Sequence, residues 1–337
     1  MPVRFYSFED AGAPAVSNLS TTRKIDNIKQ ILKACLVDGY GSKPGAGWTI
    51  GHEHADGISF GNGLGFINFV NAVQYTVAVY LMESITDGST ALASGANRRS
   101  GSWYDGQATT NRLHFYTNFA ASTANKGWFV VADERTVTLF LTAGHTAANP
   151  TTSYSNAALH FGEFRTAMGT QGFICIGGGY GATSISTVAS YSIYSAPAGM
   201  CLRNPLTGLV EQGPDATYGG AVAPFSNTGS PSTAYRVQTV DELFVSRVAI
   251  RGVGSTISGS TSASQNMICG RLRGLVYCPE LADRMPTVAM PTLGVTVSSW
   301  LDRMRPFTGP AGKQWVLLSQ HSSDATLFVS LDPDDWV

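Results

Sequence analysis

The residues best placed by type and spacing to bind a metal are His52, His54 and Asp56, in the run Gly51-His52-Glu53-His54-Ala55-Asp56. In an extended segment, side chains two apart project from one face, and two imidazoles with a carboxylate can hold zinc or iron. The same spacing arises on any strand, and no third histidine stands nearby in sequence. Exposed polar residues account for the same letters, so no metal and no cofactor is assigned. A second set, Asp133, Glu134 and Glu163, has the chemistry of glycoside hydrolysis, in which two acids flank a sugar bond at a defined separation. Yet Asp133-Glu134-Arg135 falls between the apolar runs Trp128–Ala132 and Thr136–Leu141, where a hairpin needs a polar turn. A charged turn also protects neighbouring strands from edge pairing. The turn reading is preferred, and no catalytic residue is assigned.

The other chemical signals are weaker. Gly177-Gly178-Gly179-Tyr180-Gly181 follows an apolar run but lacks the order of a dinucleotide-binding turn, and no helical pattern follows it. There is no Gly-x-Ser-x-Gly elbow, and His114, His145, His160 and His321 have no nucleophile or orienting acid at a diagnostic spacing. Asp332-Pro333-Asp334-Asp335-Trp336 lacks the glycine and terminal glutamate of a calcium loop and reads as a polar turn anchored by Trp336. The five cysteines show no Cys-x-x-Cys spacing, so they read as reduced, partly buried thiols. The many aromatic residues read as core ahead of sugar-stacking surfaces.

The elements that must position these residues are mostly strands. One amphipathic helix is predicted after Ser20-Thr21-Thr22, with Ile25, Ile28, Ile31, Leu32, Cys35 and Leu36 on one stripe and Gly39 as its stop. These six residues form a candidate docking surface, packed on the body or on a partner. From Trp48 onward, short apolar runs separated by turn residues are predicted at 57–60, 65–69, 74–82, 112–116, 127–132, 136–141, 158–164, 172–177 and 265–277. This spacing predicts a mainly β fold, an antiparallel β-sandwich-like body with one N-terminal amphipathic helix. The chain divides into an N-terminal segment, 1–50, and a β-rich body, 51–337. The proline- and glycine-rich stretch 196–235 is either long loops within one body, which is favoured, or the border of two lobes. The Ser/Thr/Gly-rich stretch 255–264 is expected to be a surface loop.

Composition excludes some partners. With 22 basic and 23 acidic residues the net charge is -1, which offers no attraction to nucleic acid. No apolar run approaches the roughly 20 residues of a membrane helix, and the first ten residues lack the pattern of a signal peptide. The charged fraction of 13% is about half the usual value, so much of the surface is uncharged and suited to being covered by neighbouring subunits.

Three segments carry a resemblance. The first runs from Asp10-Ala11-Gly12-Ala13-Pro14 through Ile31-Leu32-Lys33-Ala34-Cys35-Leu36-Val37-Asp38-Gly39-Tyr40-Gly41 to Gly45-Ala46-Gly47-Trp48-Thr49. The second is Gly127-Trp128-Phe129-Val130-Val131-Ala132-Asp133-Glu134-Arg135-Thr136, followed by His160-Phe161-Gly162-Glu163-Phe164. The third is Gly312-Lys313-Gln314-Trp315-Val316-Leu317-Leu318, then Leu327-Phe328-Val329-Ser330-Leu331-Asp332. Together they resemble a group of tailed-bacteriophage virion proteins of minor tail type. The resemblance implies a non-enzymatic structural component of the virion, in tail, baseplate or neck, assembled in the host cytoplasm. It implies other virion structural proteins as partners, a homo-oligomer within a symmetric assembly, and neither nucleic acid nor membrane insertion. It brings no catalytic residues. The alternatives are an exposed receptor- or glycan-binding or head-decoration protein and, third, a glycan hydrolase.

Overall fold

A computed structural model of the chain describes residues 2–16, 25–72, 76–100, 103–104, 113–116, 126–143, 156–166, 168–177, 179–180, 199–205, 207–210, 218–221, 246–252, 267–277, 294–296, 301–309, 312–318 and 327–337. In chain order the elements begin with β1 (Arg4–Ser7), α1 (Ile25–Lys33), β2 (Thr49–His54), β3 (Gly57–Gly61), β4 (Phe66–Asn71), β5 (Thr76–Met82), β6 (Arg99–Ser100), β7 (Trp103–Tyr104) and β8 (Leu113–Tyr116). There follow β9 (Lys126–Ala132), β10 (Thr136–Ala143), β11 (Asn156–Thr166), β12 (Gln171–Ile176), β13 (Gly179–Tyr180), β14 (Gly199–Cys201), β15 (Tyr218–Ala221) and β16 (Ser246–Gly252). The last strands are β17 (Met267–Tyr277), β18 (Phe307–Thr308), β19 (Gln314–Leu317) and β20 (Leu327–Ser330), with 3-10 turns at Leu301–Met304 and Pro333–Trp336.

Among the described residues the fold is mainly β, with antiparallel sheets and one helical segment over 25–38, as the turn-separated runs predict. A twelve-stranded sheet has the order β1-β9-β10-β11-β12-β14-β15-β16-β17-β20-β19-β18, and an eight-stranded sheet has β13-β8-β5-β4-β3-β2 with β6 and β7 attached to β5. The first sheet branches. Strand β11 pairs with β10 only as far as Thr136↔Gly162 and then with β17 from Phe164↔Leu272. That second pairing closes a ring of strands through β11, β12, β14, β15, β16 and β17.

Alternation along β9 shows why the large sheet is a middle layer. Trp128 and Val130 belong to the core shared with the eight-stranded sheet, where they join Phe60, Phe69, Val79 and Phe115. Phe129 and Val131 face the opposite way, into a second core with Leu275, Val316, Val329 and Trp336. Side chains that alternate between two apolar surroundings read in sequence as a continuous apolar run.

The helical stripe predicted to dock on the body or on a partner is filled by the body itself. Ile25, Ile28, Leu32, Cys35 and Leu36 are completely buried and Ile31 is 1% exposed, all in the core between the sheets. A partner therefore has no access to this face. The α-helix ends at Lys33 and passes into a wider π turn, Ala34–Asp38, closed by a bond from Gly39 N–H to the Ala34 carbonyl at 2.8 Å. Gly39 has φ +76°, a conformation open to glycine. The returning loop satisfies the last carbonyls: Ala46 N donates to Cys35 O, and both Gly47 N and Trp48 N donate to Leu36 O. Ser20 to Thr22 lie outside the described residues.

The described residues of the first 50 pack on the body, since β1 pairs with β9 and α1 completes the shared core. Within 196–235, β14 and β15 both belong to the twelve-stranded sheet, and most of that stretch lies outside the described residues, as does 255–264. Lysines guard two outer strands: Lys43 Nζ donates to Phe5 O of β1 at 2.8 Å, and Lys29 Nζ to His54 O of β2 at 2.7 Å. A cation on an edge carbonyl opposes strand addition by another chain.

Candidate functional site

A cluster of buried charged residues lies where β11 changes partners. Asp133 sits in the turn between β9 and β10 and is 2% exposed. Its Oδ1 accepts from Arg135 N at 2.9 Å and Thr136 N at 2.7 Å, which folds the turn locally. Its Oδ2 accepts from Arg273 Nη2 at 2.7 Å. Glu163, 3% exposed, receives Arg135 Nη1 at 2.9 Å and has Arg273 Nη1 at 3.7 Å. Arg135 is held above its ordinary value, first by the hydrogen bond to Glu163. Arg273 also donates from Nε to the carbonyl of Trp336 and from Nη1 to Thr136 Oγ1 at 3.1 Å.

Each partner follows from the backbone around it. Gly162, at φ +118°, lies against the carbonyl of Arg135, where a side chain would collide. The next residue, Glu163, donates its backbone N–H to the same Arg135 carbonyl at 2.9 Å. On β17, Gly274 has φ +70° and supports the Trp336 ring. The registers Ala249↔Arg271 and Arg247↔Val276 place two steps of β16 against five of β17. The resulting bulge turns Arg273 inward, whereas Arg271 is exposed.

This arrangement suits cohesion rather than acid–base chemistry. Glycoside hydrolysis needs two carboxyl groups facing a sugar, one of them carrying a proton. Here Asp133 and Glu163 are covered and share one guanidinium, and Asp133 uses both oxygens. Glu134 stands apart at the turn, 3.5 Å from Arg135 Nε. The structure brings Asp133 and Glu163 together as the sequence could not specify, with Arg273 as the member that sequence reasoning missed. Contrary to the role considered for the charged turn, Asp133 does not shield an edge, because β9 and β10 are both interior strands.

His160 borders this cluster. It is fully buried, with Nδ1 2.8 Å from Thr138 Oγ1, and among the described residues its Nε2 has no hydrogen-bond partner. Burial, with a smaller contribution from Arg273, pushes its pKa down to about 3, so the ring is neutral at neutral pH. His114 is buried beside Thr76, while His145 and His321 lie outside the described residues.

The other candidate set is dispersed. His52 contacts Ser59 Oγ through Nδ1 at 3.1 Å and Ala91 O through Nε2 at 3.3 Å, and burial lowers its pKa. His54 Nδ1 accepts from the backbone N–H of Asp56 at 3.1 Å, and Asp56 lies in the turn after β2 rather than on the strand. A bulge between Ile50 and His52 also breaks simple alternation. Among the described residues no group of three or more His, Cys, Asp or Glu side chains is placed to hold a metal ion. Cys35 and Cys175 are buried thiols whose pKa values burial raises, which makes both poor nucleophiles.

No helix among the described residues is long and apolar enough to cross a membrane. In comparison with known proteins, the chain matches no family model, and no curated protein matches it significantly.

Proposed function

We propose that this chain is a non-enzymatic structural component of a tailed-phage virion, associated with tail, baseplate or neck. It acts through protein–protein interfaces, alongside other virion structural proteins and as a homo-oligomer in a symmetric assembly formed in the host cytoplasm. The observation that carries this reading is that the three segments bearing the resemblance pack together as the framework of the fold. Trp48 of the first donates through Nε1 to the carbonyl of Asp133 of the second at 3.0 Å. Phe129 and Val131 of the second share a core with Val316 and Val329 of the third. The acids of this framework serve as internal ties, which favours a mechanical role.

The test is to locate the chain in purified particles by imaging and by mapping its density against head, neck and tail. Density at a tail, baseplate or neck interface is the expected result. Density at an outer tip or capsid surface would favour receptor binding or decoration instead, and absence from particles would overturn the virion reading.

A further inference from the structure

The tip of the β3–β4 hairpin carries the chain's only Asn-Gly sequence, Asn62-Gly63. Asparagine and glycine suit hairpin tips because both accept the turn conformations needed there. The tip is closed by Asn62 N donating to Gly65 O at 3.3 Å. Gly63 is exposed, has φ +86°, and a side chain built on it would meet nothing within 4 Å. Asn62 is half-buried, and its carboxamide is fixed at both ends. Oδ1 accepts from Leu64 N at 3.0 Å, and Nδ2 donates to Arg135 O at 2.6 Å. Asn62 therefore ties the hairpin of the eight-stranded sheet to the β9–β10 turn of the twelve-stranded sheet, the turn that also holds Asp133.

Asparagine is a chemically labile residue, most of all before glycine, which has no side chain to hinder attack by its own nitrogen on the asparagine carboxamide. Here the open space around Gly63 leaves that attack uncrowded. As the nitrogen adds to Cγ, negative charge grows on Oδ1, and the Leu64 N–H already points at that oxygen. The bond from Gly63 N to Cγ forms and the Cγ–Nδ2 bond breaks. The side-chain nitrogen leaves as ammonia, taking the proton that Gly63 gives up. Water then opens the five-membered succinimide, at Cγ to give aspartate or at the main-chain carbonyl to give isoaspartate. Either product replaces the Nδ2 donor by a carboxylate oxygen, an acceptor that the Arg135 carbonyl repels.

We propose that Asn62 is a site of spontaneous deamidation through a succinimide with Gly63, and that this modification releases the β3–β4 hairpin from the β9–β10 turn. The inference rests on this hairpin alone and not on the virion reading.

The test ages the full-length chain at pH 9 and follows each asparagine by peptide mass spectrometry, with isoaspartate and aspartate separated by chromatography. Position 62 should convert at least tenfold faster than Asn71 or Asn97, which precede alanine and arginine. Asn62→Gln, whose longer side chain cannot close the same ring, should stop the conversion. Release is read by hydrogen exchange. The amide of residue 62 should exchange at least tenfold faster in the aged chain and in Asn62→Asp than in the fresh parent, while amides between β9 and β10 keep their rates. The site is overturned if position 62 stays intact in the folded chain but converts in urea, or if it converts no faster than the other asparagines. The release is overturned if the aged chain and Asn62→Asp both exchange at the parent rate.

Discussion

Arg273 Nη2 lies 2.7 Å from Asp133 Oδ2, joining the turn between two interior strands to a bulge 140 residues later in the chain. The contact sits where β11 exchanges β10 for β17, so it spans the branch in the large sheet. Removing one partner of a buried pair is costly because the other charge stays behind, at roughly 3–5 kcal/mol. Asp133→Asn keeps the Oδ1 contacts of the turn and removes the charge, and a loss of that size is expected in urea titrations. Combining it with Arg273→Met should cost less than the sum of the two single changes. Strict additivity in the double-mutant cycle would show that the pair is not coupled.

The Trp336 indole rests on Gly274, and its Nε1 donates to Ser330 O at 2.7 Å. A methyl group at position 274 meets the ring directly and also strains a residue at φ +70°. Gly274→Ala should cost about 1–3 kcal/mol by overpacking, and Trp336→Ala about 3–5 kcal/mol by truncation. The steric part vanishes once the ring is gone, so the double variant should be more stable than the sum of the single losses implies. Thermal unfolding of the three variants measures this. A Gly274→Ala protein with the melting temperature of the parent would contradict the close approach.

His160 gives a pH dependence whose sign follows from its buried state. Its folded pKa is about 3, whereas an unfolded histidine titrates near 6.5. Between those values the unfolded chain takes up a proton that the folded chain refuses, so the histidine contribution falls as pH is lowered through this window. The slope is at most about 1.4 kcal/mol per pH unit. Urea midpoints at pH 7 and pH 5 should therefore differ less in His160→Gln than in the parent protein. An equal difference in both would remove His160 as a source of the acid sensitivity.

The legible parts of this fold are those governed by local periodicity. The continuous apolar run around Phe129 and Val131 and the charged turn after it announce the β9–β10 hairpin, and the spacing Ile25, Ile28, Ile31, Leu32 announces the helix. What covers each face is not local information. The helical stripe says that it is buried, but only the folded chain says by what. Arg273 was hidden for a related reason. On a regular strand it would share a face with Arg271, and it turns inward only because the bulge at Gly274 breaks the alternation. His52, His54 and Asp56 illustrate the converse. Their spacing suggests a common face, but a bulge and a turn disperse them.

The helix offers the sharpest separation of packing from docking. If its apolar stripe met another protein, Ile28→Asp would fold normally and fail only in association. In the structure Ile28 is completely buried in the core between the sheets, whereas Gln30 on the opposite side is exposed. An uncompensated carboxylate at position 28 costs several kcal/mol, comparable with the 5–15 kcal/mol that holds a typical domain together. Ile28→Asp and Leu32→Asp should therefore lose most of their soluble, folded protein, while Gln30→Asp keeps it. Soluble yield and thermal melts followed by circular dichroism decide the matter. A soluble Ile28→Asp protein that melts like its parent would show that the stripe is not part of the chain's own core.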